Sequence, residues 1–284
     1  MIHPERDIPF PGGFLRLGPA PLVMGILNVT PDSFSDGGRH DSVDAALAQA
    51  RIMVAEGADI IDVGGESTRP GSEEVGVQAE LDRIMPVLDT LADAGMRAPI
   101  SIDTYKALVA DQAIQAGARI VSDVHGFRRE PEIAAVAAHH GVPAIAMHWD
   151  PDRDRDKDLL GEIRRWLEAS ITIALDAGIP REAIILDPGF GFAKTFRENY
   201  ILLNRLDELA SMGFPLLVGT SRKSMLGKLL DVGPEARVAG TVATSVLGWL
   251  KGGQVFRVHD VRENRDALRV AQAAAYGPPE PGGE

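Results

Sequence analysis

The chain has 284 residues, 45% of them apolar and 25% charged, so it is long enough for one large domain or two small ones with a sizeable core. Its net charge of −12 argues against nucleic acid or an anionic membrane as the main partner, and leaves room for a small anionic ligand bound by local basic side chains. The absence of cysteine excludes disulfides and thiolate metal sites, and no apolar run approaches the roughly 18 residues that a membrane span needs.

Short apolar, β-rich runs alternate with longer helical patterns along the chain. The N-terminal stretch Met1–Pro11 has mixed charges and lacks the apolar centre of a signal peptide, so we expect a cytoplasmic protein. The predicted strands are Leu22–Leu27, Asp59–Val63, Pro99–Asp103, Arg119–Val124, Ala144–His148, Ala183–Asp187, Pro215–Gly219 and Val255–His259. The predicted helices are Asp41–Glu56, Gln78–Ala94, Tyr105–Ala116, Pro131–His140, Leu159–Ala177, Arg197–Ser211, Ser224–Leu230, Glu235–Lys251 and Val261–Ala275.

Strands that each lead into a helix predict an α/β fold of the single-domain (β/α)8 barrel type, which typically takes about 250 residues. We assign residues 22–276 to the barrel, 1–21 to an N-terminal lead-in and 277–284 to a disordered tail rich in Gly and Pro. A doubly wound open sheet is the alternative. It normally has a Gly-rich turn after its first strand, and the residues that follow Asn28 are Val, Thr, Pro and Asp.

Polar residues stand at nearly every predicted strand end, and the active site of a (β/α)8 barrel lies at the carboxyl-terminal ends of its strands. A lone Asp after a strand is more often a helix cap than a ligand, but a full set at convergent positions is hard to explain as caps. The acidic members are Asp103, Asp123 and Asp187, and the basic members are Arg69, Lys223, Arg257 and His259. Several basic groups suit a phosphate or diphosphate, and buried carboxylates suit a ligand with adjacent N–H donors, such as the edge of a guanine or a pterin. Asp62 lies inside a strand, where we expect a buried structural hydrogen bond.

The chain resembles the dihydropteroate synthases of folate synthesis from about Leu22 to Val270. Six segments in the right order make the resemblance more specific than any single short motif. They are GILNVTPDSFSDGG at 25–38, IDVGGESTRPG at 61–71, SIDT at 101–104, LDPGFGF at 186–192, GTSRKSM at 219–225 and RVHD at 257–260.

The resemblance implies a (β/α)8 barrel, usually a homodimer, that acts on small molecules without nucleic acid or membrane. It implies condensation of 6-hydroxymethyl-7,8-dihydropterin diphosphate with 4-aminobenzoate to give 7,8-dihydropteroate and diphosphate, with Mg²⁺ as cofactor. Sulfonamides would antagonise this reaction.

The resemblance also implies roles for residues at the matching positions. Asp103, Asp187 and Lys223 would be the catalytic, pterin-holding groups, and Ser122, Phe192, Gly219 and Arg257 would complete the pterin pocket. Asn28, Arg257 and His259 would contact the diphosphate, with Asn28 holding Mg²⁺ through it. Phe34, Asp36, Thr68 and Arg69 would lie on two loops over the aminobenzoate, and Ser224 would receive its carboxylate.

Two departures from the family pattern keep alternatives open. Ser122 stands where the family usually has Asn, and its single hydroxyl reaches less far than an amide. A pterin-binding paralogue with lost or altered synthase activity is therefore the alternative, and a barrel like the methyltetrahydrofolate:corrinoid methyltransferases is a third hypothesis. The charged segment Trp149–Asp158 replaces a milder loop, and we expect it to be solvated, with a contact to a substrate or partner as the alternative.

Overall fold

The predicted alternation of strands and helices folds into a closed parallel barrel. The computed structural model describes residues 3–30, 39–67 and 73–278, and for residues 39–41 the backbone alone. The strands are β1 (Arg6–Phe10), β2 (Gly13–Leu17), β3 (Leu22–Asn28), β4 (Ile60–Gly64), β5 (Ile100–Asp103), β6 (Ala118–Asp123), β7 (Ala144–Met147), β8 (Ile184–Asp187), β9 (Leu216–Val218) and β10 (Gly253–Val258). Strands β3 to β10 pair in sequence order, and β10 closes the circle against β3. The (β/α)8 prediction is therefore confirmed, and the open sheet is not observed.

Helices connect successive barrel strands and cover the outside of the barrel. The helices are α1 (Arg39–Ala55), α2 (Val77–Asp93), α3 (Ala107–Gln115), α4 (Glu132–His140), α5 (Leu159–Asp176), α6 (Phe196–Asn204), α7 (Leu206–Ala210), α8 (Ser224–Leu230), α9 (Val238–Leu250) and α10 (Val261–Tyr276). Strand β8 is buried at every position, because one face meets the barrel interior and the other meets helices. This double burial explains why the strands read as nearly continuous apolar runs.

An antiparallel hairpin, β1 and β2, precedes the barrel and was not predicted. Leu15 and Leu17 on β2 are buried, as is Ile8 on β1, whereas the Arg16 side chain between the two leucines is 71% exposed. That alternation is a signal with a period of two residues, and it marks a half-buried strand in the sequence. The hairpin lies at the amino-terminal end of the barrel strands, where Arg6 donates to the Gly213 carbonyl at 3.2 Å.

One predicted helix, Arg197–Ser211, is two helices in the structure. The helix α6 begins with a capping box between Thr195 and Glu198 and stops at Arg205, whose φ of −109° and ψ of 19° are not helical. Leu202, Leu206 and Leu209 keep helical spacing across this break, so the apolar pattern could not reveal it. Elsewhere α1 begins at Arg39, which makes the predicted Asp41 start wrong by two residues, and a 3-10 turn, Pro234–Arg237, replaces the start of the predicted helix Glu235–Lys251.

Candidate active site

The strand ends bring several predicted site residues to one face of the sheet. The register pairs Asn28 with Gly64, and Gly64 with Asp103. It then pairs Asp103 with Ser122. Paired residues of parallel strands project to the same side, and a Cβ atom on Gly64 would lie 3.8 Å from Asp103 Oδ2 and 3.9 Å from Asn28 Oδ1. Asn28 and Asp103 therefore face a common space at the mouth of the barrel.

Arg257 on β10 reaches across this mouth to two carboxylates. Its Nε donates to Asp62 Oδ2 at 2.6 Å, and its Nη2 donates to Asp103 Oδ2 at 2.7 Å. Strand β3 separates β10 from β4 in the barrel order, so the guanidinium must cross the interior to reach Asp62. The fully buried Asp62 does make the buried hydrogen bond that we expected, and its partner is a predicted site residue.

Burial and charge shift the proton affinities of this cluster. Burial raises the pKa of Asp103 to about 7 and outweighs the opposing effect of the Arg257 guanidinium. Burial acts to lower the pKa of Arg257, but Asp62 and Asp103 raise it overall. Arg257 therefore stays charged, while Asp103 changes its protonation near neutral pH.

The loop after β8 presents a second carboxylate beside an ammonium group. Asp187 Oδ1 accepts the backbone N–H of Gly189 at 2.7 Å, and burial raises the pKa of Asp187 against the lowering effect of Lys223. The Lys223 ammonium donates to the Phe190 carbonyl and lies 4.6 Å from the centroid of the Phe192 ring. Burial lowers the pKa of Lys223 to about 8. A ligand here meets poorly solvated charges of both signs, where hydrogen bonds are electrostatically stronger than in water.

Glycine backbone borders the Asp187 carboxylate. A Cβ atom on Gly219 would lie 3.9 Å from Asp187 Oδ2 and 3.7 Å from the Leu217 side chain, which are ordinary contact distances. The predicted pterin residue Gly219 therefore lies next to the predicted catalytic carboxylate.

His259 follows β10 and Ser221 follows β9, and their side chains are hydrogen-bonded to each other. Ser221 Oγ lies 2.9 Å from His259 Nδ1 and accepts the backbone N–H of His259 at 3.1 Å. These two contacts fix the orientation of the imidazole. Ser224 is the exposed first residue of α8, and α8 has the bounds predicted from the sequence.

Four predicted residues, Phe34, Asp36, Thr68 and Arg69, lie outside the described residues.

Asp123 accepts hydrogen bonds from backbone groups close to it in the chain. Its two oxygens accept the backbone N–H groups of His125 and Phe127 at 2.7 Å each. Burial raises the pKa of Asp123 to about 7, although both hydrogen bonds act to lower it. Asp123 thus shapes the loop that follows β6.

A row of four rings at the barrel mouth was not predicted from the sequence. The ring of His125 stacks on Trp149 with centroids 4.6 Å apart, and it meets the Tyr105 ring edge-on at 5.1 Å. The Trp149 ring lies 5.2 Å from the Phe192 ring. Burial lowers the pKa of His125 to about 4, so this imidazole is neutral at physiological pH. The available signal was an aromatic or imidazole residue two positions after Asp103, Asp123 and Met147.

The charged segment Trp149–Asp158 is more firmly held than the expected solvated loop. Arg153 is buried and donates to Glu198 of the α6 capping box. Asp158 accepts the Gly161 N–H as the N-cap of α5, and it pairs with Arg205 at 2.6 Å. The segment therefore ties the loop after β7 to the helices that follow β8.

Residues 3–30, 39–67 and 73–278 contain no group of three His, Asp or Glu side chains placed to hold a metal ion. No helix within the same ranges has the length and apolar character to cross a membrane.

Comparison with known proteins gives one consistent result. Residues 24–259 match the family described as pterin binding enzyme. The chain is 50% identical over 242 residues to a dihydropteroate synthase of Bacillus subtilis, covering 85% of this chain and 84% of that protein.

Solved structures agree with the sequence comparison. A dihydropteroate synthase of Clostridium difficile, determined in the presence of pteroic acid, is 47% identical and superposes with a TM-score of 0.87, covering 90% of this chain and 97% of that one. The Xanthomonas albilineans enzyme with 4-aminobenzoic acid is 42% identical with a TM-score of 0.91, covering 97% and 100% of the two chains.

Proposed function

This chain belongs to the pterin binding enzymes and is a transferase of the dihydropteroate synthase type, and on that premise we propose how its residues carry out the reaction. The enzyme condenses 6-hydroxymethyl-7,8-dihydropterin diphosphate with 4-aminobenzoate and releases 7,8-dihydropteroate and diphosphate. The paralogue with lost activity is not favoured, because relatives with 45–50% identity over most of the chain are named as synthases.

The observation that carries the proposal is the arrangement of Asp103 and Asp187 with Arg257 and Lys223 around one barrel mouth. A carboxylate accepts parallel N–H bonds from the amino-pyrimidinone edge of a pterin, and an ammonium donates to its carbonyl oxygen. We assign Asp103, Asp187 and Lys223 to the pterin, bordered by Gly219. Ser122, on the same face as Asp103, and Phe192, beneath the Lys223 ammonium, complete the pocket.

Arg257 must exchange partners when the pterin binds. In the structure its Nη2 donates to Asp103 Oδ2, and we assign the Asp103 carboxylate to the substrate. The buried bond from its Nε to Asp62 can persist during the exchange, so the guanidinium pivots over the pterin face instead of leaving the site. Arg257 and His259 then contact the diphosphate oxygens.

The chemical step breaks the bond between the pterin methylene carbon and the diphosphate oxygen. The electron pair leaves with the diphosphate, whose charge Arg257 and His259 spread. The cation that remains is delocalised into the pterin ring and stabilised by Asp103 and Asp187. The aminobenzoate nitrogen attacks the methylene carbon and loses a proton, so no side-chain nucleophile is needed.

Asn28 fits a supporting role for Mg²⁺. Mg²⁺ takes oxygen ligands and is usually held by one or two protein groups together with substrate phosphates. Asn28 Oδ1 lies at the barrel mouth, on the side that Asp103 also faces, so it could supply one oxygen ligand while the diphosphate supplies further ones. When bound, the ion would neutralise charge that develops on the leaving diphosphate.

We assign Ser224, with Phe34, Asp36, Thr68 and Arg69, to the aminobenzoate side. Support comes from the family resemblance of these positions and from the exposed place of Ser224 at the start of α8. The related Xanthomonas albilineans structure contains 4-aminobenzoic acid.

The outer surface supports a homodimer of this chain. Large apolar side chains are exposed on three helices, α8, α9 and α10. They are Leu229, Leu230, Leu247, Leu250 and Val270, each at least 46% exposed. A second copy of the chain would remove this apolar surface from water. The cytoplasmic location stays a prediction.

Diphosphate release tests the proposed function directly. Purified protein supplied with the pterin diphosphate, 4-aminobenzoate and Mg²⁺ should release one diphosphate per 7,8-dihydropteroate formed, and a sulfonamide should compete with the aminobenzoate. Asp187→Asn, which preserves shape but not charge, should lose most of the activity. Folded protein that releases no aminobenzoate-dependent diphosphate would falsify the assignment.

A further inference from the structure

Lys194, just after the Gly189–Phe192 segment, is a partly buried cation that the proposed mechanism leaves unused. Its Nζ donates to the Gly189 carbonyl at 2.8 Å and to the Phe192 carbonyl at 3.1 Å. It also lies 3.0 Å from Nδ1 of His148, at the end of β7. The ammonium therefore joins both ends of this short segment to the neighbouring strand.

The three contacts match the three protons of a charged lysine. Burial lowers the pKa of His148 to about 2, so its imidazole is neutral and its Nδ1 can accept a hydrogen bond from the Lys194 ammonium. The His148 proton then resides on Nε2, which faces no hydrogen-bond partner among the described residues. A neutral Lys194 amine has only two N–H donors, so the Gly189 carbonyl, the Phe192 carbonyl and His148 Nδ1 can no longer all accept hydrogen bonds from it.

The segment that Lys194 holds carries groups assigned to the pterin. Gly189 has a φ of +70° and lies so close to the His148 carbonyl that a Cβ atom would approach it to 2.1 Å. The Gly189 N–H in turn holds Asp187, and the Phe190 carbonyl receives Lys223. A shift of this backbone would therefore move a carboxylate, an ammonium and the Phe192 ring together.

We propose that Lys194 is a positioning residue, which clamps the Gly189–Phe192 backbone against His148 so that Asp187, Lys223 and Phe192 are preorganised for the pterin. The proposal deepens the proposed function and rests on it for the identity of the ligand. Lys194 touches no substrate in this scheme, and it acts through the backbone that it holds.

The charged groups around Lys194 make this clamp sensitive to pH. Burial, with smaller contributions from the positive charges of Lys223 and Arg153, lowers the pKa of Lys194 to about 7. Asp187 and Glu198 act in the opposite direction, and His148 is neutral. The clamp is complete below about pH 7 and loses one donor as the pH rises through that value.

The test compares pterin binding in Lys194→Met with wild type from about pH 6 to about pH 8.5. Calorimetry with 6-hydroxymethyl-7,8-dihydropterin diphosphate gives the dissociation constant. Loss of a hydrogen bond to a charged group should weaken binding about tenfold or more near pH 6. The difference should shrink above about pH 8, where wild-type Lys194 is neutral as well. Lys157→Met removes an exposed lysine from the loop after β7, and it should bind as wild type does.

Two results would overturn the proposal: equal affinities of Lys194→Met and wild type at every pH, or a deficit that does not change with pH. If Lys194→Met does not fold, Lys194→Arg supplies a permanently charged donor. Wild-type protein should lose pterin affinity as the pH rises through about 7, where Lys194 loses its proton. In Lys194→Arg the midpoint of this loss should move to about pH 8, where Lys223 titrates. A midpoint that stays at about pH 7 would contradict the proposal. Because pterin binding is measured without turnover, failure of the synthase assignment shows separately, as binding without diphosphate release.

Discussion

Arg257 pairs with two carboxylates at the barrel mouth, and one of them is the group that we assign to the pterin. Its guanidinium presents two N–H groups to Asp62 and Asp103, much as the edge of a pterin would present N–H groups to a carboxylate. These ion pairs compensate the charges of the two carboxylates, which limits the penalty for burying them. A pterin must therefore displace the Arg257 guanidinium from Asp103 in order to bind there.

The protonation of Asp103 should determine how kcat/KM falls with decreasing pH. Burial raises its pKa to about 7, so the carboxylate is lost as the pH falls below that value. We expect kcat/KM for the pterin diphosphate to fall about tenfold for each pH unit well below about 7. Steady-state kinetics at saturating 4-aminobenzoate measures this limb. A midpoint near the ordinary Asp value, about 4, would show that Asp103 is not the group responsible.

Ser122 offers a substitution that should improve binding. It faces the same side of the sheet as Asp103, and the family usually places an Asn there. An amide can donate to one pterin nitrogen and accept from its neighbour. Ser122→Asn should therefore tighten pterin binding by about 1–3 kcal/mol, measured by calorimetry.

Ser122→Ala is the matched control for that experiment. It should bind the pterin close to wild-type affinity if the hydroxyl contributes little. Equal affinities of Ser122→Asn and wild type would remove the reason for regarding Ser122 as a weakened pterin contact.

At the scale of elements, the loop after β8 contains a strained residue. Ala193 has a φ of 50°, and this left-handed conformation costs an L-residue with a Cβ atom roughly 1–2 kcal/mol. Glycine removes that cost but gains freedom in the unfolded chain. We expect Ala193→Gly to raise the free energy of unfolding by about 1 kcal/mol, measured by urea denaturation.

A helical alanine provides the opposite control. Ala135 is exposed in the middle of α4, where the same substitution, Ala135→Gly, should lower the free energy of unfolding by about 1 kcal/mol. If Ala193→Gly also destabilises the protein, then the left-handed turn at Ala193 is not strained.

The break between α6 and α7 shows why element boundaries escape a reading of the apolar pattern. The guanidinium of Arg205 donates hydrogen bonds to Asp158 and to Glu208, each at 2.6 Å. Both contacts are made at the residue where α6 stops. Asp158 is 47 residues away along the chain. No local pattern contains that partner, whereas the capping box joins Thr195 to Glu198 only three residues further along the chain.

At the scale of the whole molecule, the apolar faces of α8, α9 and α10 should hold two copies together. The double variant Leu247→Glu with Leu250→Glu places charges on two leucines that are about half exposed, 50% and 49%. Sedimentation equilibrium should show the mass of two chains for wild type and of one chain for the variant.

A leucine elsewhere on the surface controls for the charge itself. Leu108 on α3 is 52% exposed, so Leu108→Glu makes the same chemical change away from these three helices. It should leave the dimer intact. A wild-type protein that sediments as one chain at micromolar concentration would contradict the homodimer proposal.

The N-terminal segment connects the two ends of the described chain. His3 Nε2 lies 2.7 Å from the Trp249 carbonyl, and its Nδ1 lies 3.0 Å from the Tyr276 hydroxyl. The imidazole also stacks on the Trp249 indole with centroids 4.6 Å apart. These contacts hold the start of the chain against the last two helices, a pairing that sequence periodicity does not encode.

The barrel, the family and the polar groups at the strand ends were all predictable from the sequence. Continuous apolar strand runs and helical periods of 3.6 residues are local patterns, and Asp103, Asp187, Lys223 and Arg257 lie in recognisable segments at the strand ends. The contacts between these groups became evident only in the folded chain. The bond from Arg257 to Asp62 spans 195 residues, and the clamp of Lys194 on His148 spans 46. Such contacts depend on how a closed barrel places distant strand ends side by side, and local patterns carry no record of that distance.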